Sequence, residues 1–481
     1  MPDVTFLHFS HDPTQQPGKR FLMRQQVKRS VGVFLTRSGR ISVLLLCVLS
    51  IITAGTIQAD DWAQWGGPKR DCVWRETGIV RTLPPGTLPR VWSVPIGEGY
   101  SGPAVADGKV FVTDFFDRDA SRGTERVHCI DAAEGTILWT HGYPVRYDIS
   151  YPAGPRATPV VEGSRVYTIG ATGLMFCLNV ADGKVIWKKD FQNDYSTTLP
   201  TWGMAASPLI YGDQLITLVG GAGGATVVSF HKETGKELWR AIDDPQVGYC
   251  PPMLFNIAGM PQIIVWHPDS VTGLNPMNGE ELWNVPFSIN AGLCIPTPKQ
   301  IGNRLFLTSF YNGSMMLEFH GEKPKIVWKG NSSSEIKTDG LHAIMSTPIV
   351  TDTHIYGVCS YGQLRCLDAK SGKRIWETFD ATGHGRWWNA FIIPNGDKYF
   401  LHNEQGDLII ADLTPEGYKE ISRSKLIEPT RPVQRRMTIW SHPAFAMKSV
   451  FARNDKELIR VSLDERKTTL ALPPRRTRGG L

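Results

Sequence analysis

A nine-residue pattern recurs five times in this chain and limits the fold more than any other feature. The copies are Asp131-Ala-Ala-Glu-Gly135-Thr-Ile-Leu-Trp139, Asn179-Val-Ala-Asp-Gly183-Lys-Val-Ile-Trp187, His231-Lys-Glu-Thr-Gly235-Lys-Glu-Leu-Trp239, Asn275-Pro-Met-Asn-Gly279-Glu-Glu-Leu-Trp283 and Asp368-Ala-Lys-Ser-Gly372-Lys-Arg-Ile-Trp376. In each, a glycine stands four residues after the first polar residue and a tryptophan eight after it. An apolar run such as Val127 to Ile130 leads in. A polar residue and glycine then make a tight turn, because glycine alone takes positive φ at little cost. An alternating run leads out and ends on the indole. This is a β-hairpin whose tip brings a large apolar area and one N–H donor to a neighbour.

A second strand pair precedes each hairpin. Its first strand carries Pro103, Pro159, Pro208, Pro252, Pro298, Pro348 or Pro443, and its second follows a Gly or Asp turn, as at Asp107 and Gly108. Four short strands per unit, with tryptophans 44 to 52 residues apart from Trp139 through Trp328 to Trp376, are the mark of a β-propeller blade. Seven proline-bearing strands, plus Trp388-Asn-Ala-Phe391 between Pro348 and Pro443, predict an all-β, eight-bladed propeller over 89–466. The last unit supplies only three strands. Arg90 to Val94 is a spare strand at the front, and its Trp92 lies 47 residues before Trp139, in phase with the series. It is expected to complete the last blade and close the ring, leaving no edge open to aggregation. Blade five reaches Trp328 through a longer turn, and blade seven is read with Ile421 at the tryptophan position. Glycine plus proline, 80 of 481 residues, suits so many turns.

The repeat resembles the tryptophan-docking motif of pyrroloquinoline-quinone-like propellers. Two branches share it: the quinoprotein alcohol dehydrogenases, and the outer-membrane assembly propeller, a binding scaffold without cofactor. The segment Trp62-Ala-Gln-Trp65-Gly-Gly-Pro68 is similar to the opening of exported, planctomycete-type members. Those continue with Gly and Ser where this chain has Cys72 and Trp74. The resemblance implies Trp92, Trp139, Trp187, Trp239, Trp283, Trp328 and Trp376 as docking residues. It also implies what a dehydrogenase needs: a quinone held between a Trp and two adjacent cysteines, and calcium on a Glu, an Asn and an Asp. No adjacent cysteine pair and no CxxCH haem site occur in this sequence, and no such calcium set is evident.

Charge and export bear on the partners. The net charge is +6, but residues 1–59 hold seven Lys/Arg against two acids. The rest is therefore nearly neutral and lacks the basic footprint of a nucleic-acid binder. Residues 1–59 read as a signal peptide: a basic stretch, an apolar run from Ile41 to Ile57, and a cleavage site near Ala59. That run is short for a permanent span. Residues 60–88 are expected to pack on the propeller as an N-terminal segment, and 467–481 to form a flexible basic tail. Of eight cysteines, seven follow the leader, so at least one is unpaired. Cys129, Cys177 and Cys366 hold one repeat phase, as small buried hydrophobes would.

Other chemistry finds little support. Gly220 to Ala225 is glycine-rich, but no Gly-Lys-Ser/Thr follows, so it reads as the middle turn of blade three. His384 and His442 form no HxH or HExxH metal pattern. One set does converge. The innermost strand of every propeller blade starts beside the central channel. The residues there are Tyr100, Arg156, Trp202, Tyr249, Cys294, His342, Arg386 with Trp387, and Trp440. They would either plug the channel or stack a flat ligand and hold its carboxylates through arginine. Together these features favour an exported, monomeric binding or scaffolding module, periplasmic or secreted. Its partner would be a protein or small ligand of the envelope, with no cofactor, metal or nucleic acid. The alternative is a quinone-dependent alcohol dehydrogenase carrying pyrroloquinoline quinone and calcium.

Overall fold

In the computed structural model, residues 61–244 and 246–469 are described; the expected signal peptide and most of the basic tail lie outside them. Eight four-stranded antiparallel sheets follow one another along the chain. Seven are built from consecutive strands and are numbered here as blades 1 to 7: 104–146, 160–190, 209–241, 253–286, 299–329, 349–378 and 390–425. Blade 8 combines Ala444–Ala446, Ser449–Arg453 and Glu457–Ser462 with an early strand, Arg90–Pro95. That strand runs antiparallel to Glu457–Ser462, with Trp92 opposite Arg460 and Ser93 opposite Ile459.

The second and third strands of the blades are almost wholly buried, as Gln214–Gly221 and Ala225–His231 illustrate. Apolar side chains cover both faces there, because each sheet packs between two others. The outer strand alternates instead, as in Glu281–Pro286, where Trp283 and Val285 are buried and Asn284 and Pro286 exposed. Every outer strand carries one irregularity at the same place. In blades 1 to 6, Trp139, Trp187, Trp239, Trp283, Trp328 and Trp376 each pair with a third-strand residue just before the register shifts by one. Such a bulge bends and twists its strand.

The bulge delivers each indole to the next sheet. The indole N–H of Trp139 donates to Val180 O at 2.8 Å, that of Trp187 to Lys232 O at 3.0 Å, and that of Trp328 to Ala369 O at 3.1 Å. Trp92 does the same to Ala132 O of blade 1 at 2.9 Å. The repeat glycines are explained by the same contact. A Cβ on Gly183 would lie 2.6 Å from the Trp139 ring, and Gly183 itself has φ +70°. Gly135, Gly235, Gly279 and Gly372 meet Trp92, Trp187, Trp239 and Trp328 in the same way. Trp239 and Trp283 donate within their own blades, to Gln214 and Gln262.

Blade 7 corrects the sequence reading. Ile410 pairs with Ser422 and Ala411 with Glu420, so Ser422 holds the tryptophan position and Ile421 is the bulged residue. No indole is needed there. The Ser422 hydroxyl accepts from Leu83 N–H at 2.9 Å, and the N-terminal segment covers that site.

Residues 61–88 cross the inner strands of most blades. Trp62 exchanges backbone hydrogen bonds with Val105 of blade 1, Val161 of blade 2 donates to Ala63 O, and Trp74 donates to Pro394 O of blade 7. The buried Arg70 guanidinium donates to Ser207 O, Pro208 O and Pro252 O at blades 3 and 4. Trp62 and Trp74 pack on Phe445 of blade 8. Cys72 adopts φ +59°, a left-handed conformation that favours glycine.

Candidate functional site: the channel mouth

A cavity of about 210 Å³ sits where the inner strands begin. The segment entering each blade contributes to its wall: Tyr100, Arg156, Trp202, Tyr249, Leu293, Ile344, Trp387 and Trp440, in blade order. Trp65 of the N-terminal segment and Tyr151 complete it, with His442 beside them. A wall drawn from the entries to all eight sheets lies at the propeller axis, and Trp65 of the crossing segment forms part of it. The Trp65 ring lies 4.8 Å from that of His442.

Six of the nine expected rim residues therefore share one cavity: Tyr100, Arg156, Trp202, Tyr249, Trp387 and Trp440. Their rings touch. Tyr100 stacks near Trp440 at 6.3 Å, and Trp440 meets Trp387 edge-on at 6.2 Å. Trp202 stands edge-on to Tyr249 at 5.7 Å. Tyr151 bridges Trp387 and Trp440 at 6.0 Å from each. Trp387 takes φ +69°, uncommon for a bulky residue, and its N–H is anchored on Ser360 O at 2.9 Å.

His342 and Arg386 are placed elsewhere. His342 is fully buried behind the wall, with Nδ1 3.1 Å from Phe310 O and Nε2 3.3 Å from Asp339. Burial lowers its pKa. The long segment 330–343 displaces it, so its sequence phase does not give its depth. Arg386 turns away from the cavity to pair with Glu335 at 2.6 Å and Tyr311 Oη at 3.0 Å. The left-handed Trp387 next to it reverses the side-chain direction. Cys294 is buried beneath Tyr249, whose N–H donates to Cys294 O. Trp65, Tyr151 and His442 were missed because the first two lie outside the repeat and the third looked isolated.

The charges around the mouth are unequal. Arg386 pairs with Glu335, Arg431 with Asp455 at 2.6 Å, and Arg436 with Glu404 at 2.5 Å. Arg156 differs. Its guanidinium donates to Gly154 O (2.6 Å), Ser150 O (3.0 Å) and Tyr151 O (2.6 Å) and lies 5.1 Å from the Tyr100 ring centre. Among the described residues no carboxylate is within ion-pair distance of it. Glu125, a nearby acid, is saturated by Tyr143 Oη at 2.6 Å, Tyr147 Oη and Ala171 N–H at 2.9 Å. Burial raises the Glu125 pKa and lowers that of Arg156. Burial also brings His442 down to about 4, so it is neutral at pH 7.

The cavity does not suit a calcium-bound quinone. No carboxylate lines it, and among the described residues no three His, Cys, Asp or Glu side chains cluster to hold a metal. The seven described cysteines are buried single thiols. Three of them are also unreactive in protonation: burial pushes Cys129, Cys177 and Cys294 up to about 12.

Fold and site together define an eight-bladed propeller of tryptophan-linked hairpins with an aromatic-walled cavity where the inner strands begin. The family described as outer membrane protein assembly factor BamB matches residues 123–378, from the third strand of blade 1 to the end of blade 6. The chain belongs to this PQQ-like repeat family. Curated relatives include BamB of Burkholderia pseudomallei, 24% identical over 50% of this chain and 60% of the relative. BamB of Yersinia pestis is 23% identical over 56% of this chain and 66% of the relative. The chain thus spans less than two thirds of the length of either. Among solved structures, BamB from Moraxella catarrhalis superposes with TM-score 0.52 at 13% identity, covering 78% of this chain and 98% of that one. Quinohemoprotein alcohol dehydrogenase from Comamonas testosteroni gives TM-score 0.58 at 12% identity, covering 84% and 81%. These two share the fold.

Proposed function

We propose that the protein is an exported propeller of the cell envelope that works as a protein-binding scaffold. The carrying observation is the family match, which runs through six blades of the same hairpin repeat. The site chemistry supports it from the other side. A quinoprotein dehydrogenase depends on a metal to polarise its cofactor, and the mouth offers no carboxylate for one. Signal-peptide cleavage near Ala59 would free residues 60–481 into the periplasm or the medium. Among the described residues, no helix is long and apolar enough to cross a membrane.

Two measurements test this reading. A tagged full chain is fractionated, and it should appear in the periplasmic or secreted fraction as a species shortened by about 59 residues; recovery in the cytosol at full length would refute export. The purified protein is then incubated with pyrroloquinoline quinone and calcium and assayed for dye reduction over a set of primary alcohols. A scaffold gives only the protein-free rate. Alcohol-dependent turnover would establish the dehydrogenase reading instead.

A further inference from the structure

We propose that the channel mouth is a binding site for a small aromatic carboxylate, held without a metal. This site is independent of the scaffold reading, because it concerns the axis of the propeller rather than a protein-facing surface.

Three observations converge. The wall is aromatic and apolar, with Trp202, Tyr249, Trp387 and Trp440 drawn from the entries to four different blades. Flat faces at several angles around a small cavity favour a flat guest over a flexible chain. Second, Arg156 is the one charged residue of that wall. Three of its five N–H groups are used on backbone carbonyls, which orient the fork without neutralising it. The neighbouring arginines 386, 431 and 436 each have an acid, whereas Arg156, like the buried Arg453 behind Gly99, donates to carbonyls alone, and of the two only Arg156 lines the cavity. Third, three wall residues keep a buried polar atom without a partner: Trp65 Nε1, Tyr100 Oη and Trp387 Nε1. Buried donors are normally paired, and leaving one unmade costs the desolvation of that group. All three can donate, as can Arg156. Tyr100 Oη and the guanidinium of Arg156 flank one side of the wall, with the guanidinium over the Tyr100 ring.

A guest that meets these demands has a flat ring system, one negative charge and several acceptor oxygens. An aryl carboxylate has all three. The carboxylate takes the free N–H groups of Arg156 in a charge-assisted pair, and the ring lies among Trp387, Trp440 and Trp202. A cation is disfavoured by Arg156, and a metal-bridged anion lacks protein ligands. Other buried polar groups are less suggestive. Asp244, His267 and Ser270 form a hydrogen-bonded chain at 2.8 Å per link, but Asn284 and Thr272 occupy the serine hydroxyl.

The test uses the purified full chain in buffer with EDTA. Tryptophan fluorescence and calorimetry follow titration with 2-naphthoate, with its neutral amide 2-naphthamide, and with cyclohexanecarboxylate. The expected result is saturable binding of naphthoate, at least tenfold weaker binding of the amide, and still weaker binding of the non-aromatic acid. Arg156→Met should weaken naphthoate at least tenfold and leave the amide unchanged. Because Arg156 also braces residues 150–154, Tyr100→Phe provides a second variant that removes only a hydroxyl; it should weaken naphthoate threefold or more with an unchanged melting temperature. No naphthoate binding at millimolar concentration would overturn the proposal. So would equal affinity for acid and amide, a requirement for calcium, or full affinity in both variants. None of these results bears on export or on protein binding.

Discussion

Removing the indole of Trp92 should destabilise the whole propeller, although the residue stands in an edge strand near the chain's beginning. Trp92 is 8% exposed, and its ring lies 5.8 Å from Phe451 in its own blade. Its edge packs on Gly135 of blade 1, and its N–H donates to Ala132 O at 2.9 Å. Trp92→Ala therefore deletes apolar contact with two sheets and strands a carbonyl. Tryptophan-to-alanine changes in cores cost about 3–5 kcal/mol, so about 4 kcal/mol is expected. Unfolding entropy is about 2.1 cal/mol/K per residue, which for roughly 400 ordered residues is about 0.8 kcal/mol/K. The melting temperature should fall by about 5 °C. Scanning calorimetry at one scan rate measures it, with Leu138→Ala as control. Leu138 is 49% exposed, so its truncation should cost about 0.5 kcal/mol and under 1 °C. A Trp92→Ala shift no larger than the control's would refute the idea that this indole joins two blades.

Three further outcomes follow from other contacts. Gly183→Ala puts a Cβ 2.6 Å from the Trp139 ring at φ +70°, and should cost about 2–3 kcal/mol in urea unfolding; a neutral result would mean the ring is free to move aside. Burial lowers His402 and His442 to about 4, whereas unfolded histidine titrates near 6.5. The unfolded chain thus binds more protons between those values, so stability is full above pH 6.5 and is lost as pH falls toward 4, by about 3 kcal/mol for each group. Urea midpoints at pH 7.5 and 4.5 check the sign, and His402→Gln should reduce the difference. Arg70→Ala leaves Ser207 O, Pro208 O and Pro252 O without that donor, and should expose the segment around residues 62–74 to limited proteolysis while the blades stay intact; an unchanged digestion pattern would show that the segment is held by its other contacts alone.

The repeat was legible because its physics is local. Gly183 and Trp139 meet through a turn and a strand that any copy reproduces, and the phase of Pro103 or Pro208 marks an inner strand wherever it falls. Depth in the channel followed for six rim residues by the same phase. It failed where the chain leaves the repeat. His342 follows a long connection, and Arg386 precedes a left-handed Trp387, so equal spacing no longer meant equal direction. The bulge in blade 7 was invisible because a one-residue slip leaves composition unchanged: Ile421 and Ser422 exchange places only when pairing is seen. Trp65 could not be assigned to the cavity, since nothing in Trp62 to Pro68 says which way a non-repeating segment crosses the inner strands. The lone charge of Arg156 also needed three dimensions, because the acids that neutralise arginines 386 and 436 lie 51 and 32 residues away in sequence.

Amide hydrogen exchange along a urea series tests the architecture most directly. Peptides covering Arg90–Pro95 and Glu457–Ser462 are paired strand to strand. The Glu457–Ser462 amides that face Arg90–Pro95, as distinct from those bonded to Ser449–Arg453, should lose protection at the same urea concentration as the Arg90–Pro95 amides, because one ladder holds both. If 90–95 exchanges within seconds in native buffer while 457–462 remains protected, the early strand is not part of the last blade.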